Sequence, residues 1–91
     1  MPNAETRIIE VQCKCNQDLA RYQKEGKGRL QKMYLRKILI DRAGIFLTDP
    51  PLQNDDNVFC PSCESRVATI QMIHGQPAAK MNQGVIKPIR T

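Results

Sequence analysis

Cys60-Pro61-Ser62-Cys63, together with Cys13-Lys14-Cys15 that ends 44 residues before it, is the stretch whose reading decides the fold. Each pair fits one tight turn, and bringing the two turns together gathers four sulfurs around a single tetrahedral ion. Four thiolates close the coordination shell and leave no position for water or substrate, which is the donor set of a structural Zn²⁺. The expected ligands are therefore Cys13, Cys15, Cys60 and Cys63, with no cysteine left over. Disulfides would suit a small secreted domain, but residues 1–12 carry Glu5, Arg7 and Glu10 and no apolar run of a secretory leader. A redox Cys-x-x-Cys is expected to open a helix in a βαβ setting, whereas residues 66–73 read as strand. Four unrelated buried thiols are the bland reading, and the closeness of both pairs speaks against it.

Val58-Phe59-Cys60-Pro61-Ser62-Cys63 followed by a strand resembles one knuckle of the small zinc-ribbon proteins, over about a third of the chain. The resemblance implies a mainly β domain with hairpins, a bound Zn²⁺ and a binding role rather than catalysis. Two departures stand out. The first pair is Cys-x-Cys, one residue shorter than the usual knuckle. The position after the second cysteine, often glycine in that family, is Asn16 in one turn and Glu64 in the other. A left-handed backbone there suits Asn better than Glu.

Ninety-one residues are expected to make one domain, with residues 1–6 a frayed start. Leu, Ile, Val and Phe total 21, and there is no Trp, so the apolar core is thin and a metal staple helps to hold it. The formal charge of +5 is uneven. Residues 21–42 hold eight basic and two acidic side chains, while residues 43–66 hold four acidic and one basic. That asymmetry points to a polyanion-facing surface. No run approaches the length of a membrane-spanning helix.

Arg7-Ile8-Ile9-Glu10-Val11-Gln12 reads as a strand that runs into the first cysteine turn. Residues 19–35 suggest a β-hairpin around Glu25-Gly26-Lys27-Gly28, whose glycines supply the positive φ of a tight turn. Leu35, Ile38, Leu39 and Arg42 follow helical spacing, and Gly44 can close a short helix there, while the β-branched content of residues 37–44 argues for a strand instead. Residues 47–57, with Asp49-Pro50-Pro51 and Asn54-Asp55-Asp56-Asn57, read as the longest loop. Residues 66–73 are the clearest strand. Gly75-Gln76-Pro77 turns it, and residues 78–82 with 85–89 return as a broken edge strand, weakened by Gly84 and Pro88.

Within the expected hairpin, Arg21, Lys24, Lys27, Arg29, Lys32, Arg36, Lys37 and Arg42 can contact phosphates, and Tyr22 and Tyr34 can stack on bases. This makes nucleic acid, RNA or DNA, the first expected partner. An acidic protein that pairs with the hairpin or with residues 85–91 is the second. A solvated charged surface with packed tyrosines is the plain alternative. His74 is the only histidine and a spare ligand at most. The Asp49, Asp55 and Asp56 loop lacks the oxygen spacing of a calcium site, and no nucleophile–base pair or phosphate loop suggests an enzyme. Four thiols and no leader favour a reducing cytoplasm.

Overall fold

Two cysteine-bearing hairpins build the architecture. The computed structural model describes residues 6–25 and 30–90. Its strands are β1 (Thr6–Cys13), β2 (Asp18–Glu25), β3 (Lys32–Tyr34), β4 (Ile38–Ile40), β5 (Asn57–Phe59), β6 (Arg66–Ile73), β7 (Gln76–Met81) and β8 (Ile86–Arg90). They form two antiparallel sheets, ordered β4-β2-β1-β8 and β3-β7-β6-β5. The protein is mainly β, as its Ile- and Val-rich segments lead one to expect.

Both sheets contribute to one apolar cluster. Ile9, Val11, Leu19 and Tyr22 come from the first sheet, and Met33, Val67, Ile70, Ala79 and Met81 from the second. Phe46, from the loop after β4, is the largest fully buried side chain. Asp41 holds that loop: its carboxylate accepts the backbone N–H groups of Ile45, Phe46 and Leu47 at 3.2, 2.9 and 2.8 Å.

The two hairpins β1–β2 and β5–β6 repeat one another in detail. Each bulges on its outgoing strand next to the cysteine turn: Val11 faces Ala20 while Gln12 faces Asp18, and Val58 faces Ala68 while Phe59 faces Arg66. The extra residues, Leu19 and Val67, are buried beside their neighbours Ala20 and Ala68, so each bulge turns two consecutive side chains into the core. Each extra residue's carbonyl accepts an amide from just beyond a third strand: Ala43 to Leu19 at 3.1 Å, and Asn82 to Val67 at 2.8 Å. The molecule is thus two similar three-stranded units, β1-β2-β4 and β5-β6-β7, each extended by one further strand.

Several expectations are corrected. The hairpin over residues 19–35 does not form, because β2 and β3 lie in different sheets. The first cysteine turn holds β2 against β1, and β4 takes its other edge, so the chain crosses to β7, where Leu30, Met33 and Leu35 are buried. Gly26, Lys27, Gly28 and Arg29 lie outside the described residues. The short helix is reduced to one 3₁₀ turn, Leu35–Lys37, before strand β4, since β-branched Ile38 and Ile40 favour the sheet. The segment read as one broken edge strand is two strands in two sheets: β7 is internal to the second, and β8 forms an edge of the first, where Pro88 is tolerated. Of residues 1–6, only Thr6 is described, and it begins β1.

Candidate metal centre

The two cysteine turns share one backbone design, and the shorter pair needs only a smaller ring. In the second, the Cys60 N–H donates to the Ser65 carbonyl at 2.9 Å and the Glu64 N–H to the Cys60 carbonyl at 2.9 Å. In the first, the Cys13 N–H donates to the Gln17 carbonyl at 3.0 Å and the Asn16 N–H to the Cys13 carbonyl at 2.8 Å. The missing residue is removed from between the cysteines, and the closing bonds survive. In both turns the residue after the second cysteine is left-handed, Asn16 at φ 76° and Glu64 at φ 63°. The non-glycine residues at these positions therefore adopt the conformation the knuckle requires, at a backbone cost of about 1–2 kcal/mol for an ordinary L-residue.

The four sulfurs converge. All lie within 4.8 Å of one another, and two contacts cross between the turns: Cys13 to Cys63 at 3.4 Å and Cys15 to Cys60 at 3.6 Å. Each first cysteine is buried and each second is exposed, so the quartet follows the same two-fold relation as the hairpins. A disulfide needs about 2.05 Å between sulfurs, and all four thiols are free. Sulfurs on a tetrahedral ion with bonds of about 2.3 Å sit about 3.8 Å apart. The observed contacts fall close to that edge length, so the group fits a metal ion.

The surroundings bind the two turns to each other and bias the thiols. The Ser62 hydroxyl donates to the Gln17 side-chain carbonyl at 2.5 Å, bridging the turns. The Lys14 N–H donates to the Val85 carbonyl at 2.8 Å, and the Lys87 ammonium donates to the Asn16 side chain. The Ser62 N–H points at the Cys60 sulfur at 3.4 Å. Burial, foremost, pushes the Cys13 thiol up to about 12. The Ser65 hydroxyl and then the Ser65 backbone amide hold Cys63 down at about 6. The two thiols in the 3.4 Å contact are thus biased in opposite directions, Cys63 toward thiolate and Cys13 toward the neutral thiol.

His74 does not join this group. It occupies the turn after β6, at φ 51°, a strand's length of roughly 25 Å from the cysteine end of that strand. Asp49, Asp55 and Asp56 are exposed, and the Asp56 carboxylate accepts the Gln53 amide at 2.8 Å, which fits the loop reading.

The basic residues expected to face nucleic acid are dispersed. Arg21 and Arg42 both pair with Glu10, at 2.7 and 2.8 Å, and Lys37 pairs with Glu25 at 2.7 Å. Tyr22 is only 4% exposed, so its ring is closed to stacking. It serves the core instead, where its hydroxyl accepts the Tyr34 N–H at 2.9 Å from the other sheet. Burial pushes that phenol up from its ordinary value. Lys24 is half-buried and engaged, and Lys27 and Arg29 lie outside the described residues. Lys32 and Arg36 are exposed, and Tyr34 is half-buried with Arg36 and Lys37 each 5.8 Å from its ring centre. Sequence reasoning missed the bulges and the Glu10 hub, whose partners are distant in the chain. Comparison with protein-family models, curated proteins and solved structures returned no significant match, so the site stands on its own geometry.

Proposed function

We propose that this protein is a non-catalytic domain whose four cysteines hold one structural Zn²⁺, and that the stapled scaffold binds nucleic acid in a reducing cytoplasm. The observation that carries the reading is the convergence of Cys13, Cys15, Cys60 and Cys63 within 4.8 Å, two from each cysteine turn. Zinc suits an all-sulfur tetrahedral shell, and a closed shell offers no site to a reactant. The centre joins two units that otherwise meet through a core with one aromatic ring among its fully buried large side chains. The basic balance of the chain, +5 overall, supports a polyanionic partner. Native mass spectrometry with and without a chelator tests the metal. One zinc per chain is expected, lost in Cys60→Ser. A folded, metal-free wild-type protein overturns the reading. Titration of the zinc-loaded chain with labelled oligonucleotides tests the partner, and absence of binding at low salt refutes it.

A further inference from the structure

The two sheets are built alike but charged differently. On the outer face of the first, Glu10 sits opposite Arg21 and forms ion pairs with both Arg21 and Arg42. The equivalent cross-strand pair on the second is uncharged: Asn57 opposite Thr69, with the Thr69 hydroxyl donating to the Asn57 side chain at 3.0 Å. The charged residues of the second sheet's strands are Lys32, Arg66 and Lys80, with no Asp or Glu among them. Lys32 stands directly opposite Lys80, an arrangement that opposes folding. All three cations are exposed, and none forms an ion pair among the described residues. Asp55 and Asp56 of the preceding loop continue the line of β5 beside β6, where their backbones pair with Ile70, and the Asp56 carboxylate accepts the Gln53 amide.

These cations line a continuous depression. A groove of about 400 Å³ runs between Arg66, Thr69, Gln71 and Lys80, and adjoins one of about 210 Å³ against Gln31 and Lys32. An aromatic ring stands near each end. Phe59, opposite Arg66, is 51% exposed, and Tyr34 lies two residues beyond Lys32 on the same strand, hence on the same face. Three strand spacings across the sheet and four residues along it separate the two rings, roughly 20 Å on the diagonal. Cations along a groove, flanked by aromatic faces, match a chain of phosphates with unstacked bases. An acidic peptide would use the cations and leave Phe59 unexplained.

We propose that the outer face of the second sheet is a binding site for single-stranded nucleic acid, with Lys32, Lys80 and Arg66 on phosphates and Phe59 under a base. This rests on the nucleic-acid reading above and moves the contact away from the expected hairpin. The test is fluorescence anisotropy of a labelled twelve-nucleotide oligothymidylate with the zinc-loaded full chain, across about 50–200 mM salt. The triple variant Lys32→Ala/Arg66→Ala/Lys80→Ala should bind at least tenfold more weakly at low salt. It should also flatten the salt slope by about 2, at roughly 0.7 per phosphate contact on single strands. Phe59→Leu should weaken binding about tenfold and leave the slope unchanged, the mark of lost stacking. Zinc content and far-ultraviolet circular dichroism establish that each variant is folded. If wild type binds no oligonucleotide, the nucleic-acid reading itself fails. If wild type binds and the triple variant matches it, or if Arg21→Ala/Arg42→Ala takes the loss instead, this placement alone is overturned. Equal binding to a duplex, or equal displacement by polyglutamate, overturns the single-strand assignment.

Discussion

At Asp41 a single carboxylate gathers three consecutive backbone amides and so places Phe46 in the core. Hydrogen bonds to a charged group contribute about 1.5–3 kcal/mol, and buried donors left unmet are costly. Asp41→Ala should therefore destabilise the fold by about 2–3 kcal/mol in urea titration, with Asp41→Asn less damaging. Glu10 is the other polar hub. The Arg42 hydrogen bond, with Arg21 assisting, holds its carboxyl below the usual carboxylate value. A depressed carboxylate stabilises the fold above its unfolded value of about 4.5, and that contribution fades as pH falls through the lower folded value. Glu10→Gln should thus lower Tm by roughly 4 °C at pH 7. The gap to wild type should close as both are taken to pH 3, and a gap that stays constant with pH contradicts the linkage.

The cysteine turn is the element that repeats. Its left-handed residue after the second thiol strains Glu64 more than Asn16, because a short amide side chain tolerates that backbone and a longer acid does not. Glu64→Gly should stabilise the protein by about 0.5–1 kcal/mol with zinc content unchanged. Asn16→Gly should gain less, since it also loses the Lys87 contact. Chemical denaturation of both variants decides the ranking. This part of the design was legible in the sequence: a knuckle is closed within five residues, so its spacing and its left-handed position can be read locally. The bulges were not legible. Leu19-Ala20 and Val67-Ala68 interrupt the alternation of a half-buried strand, and only the register across to β1 and β5 gives the interruption its meaning.

Across the whole molecule, two units of like design meet at the sulfurs, at the shared core and at the Tyr22–Tyr34 bond. A structural zinc contributes about 10–16 kcal/mol in small zinc-dependent folds, against about 5–15 kcal/mol for the whole of an ordinary domain. On the proposed function, a strong chelator should therefore abolish the cooperative thermal transition seen by circular dichroism, and added Zn²⁺ should restore it. Cys13→Ser should behave as the chelated protein does, even at low temperature. A chelated sample that still melts cooperatively near the wild-type temperature would show that the core suffices.

The sequence by itself determined the quartet of thiols, the strand that leads into the first turn and the one that leaves the second, and the mainly β character. These follow from spacing, β-branched content and turn chemistry among near neighbours. Tertiary structure alone decided which strands share a sheet. It also decided that Tyr22 is a core residue, and that the basic stretch is partly neutralised by Glu10 and Glu25. It left Lys32, Lys80 and Arg66 together without a carboxylate among their strands. The reason is physical: strand pairing and ion pairing join residues tens of positions apart, and their choice is set by how well whole faces pack and balance charge.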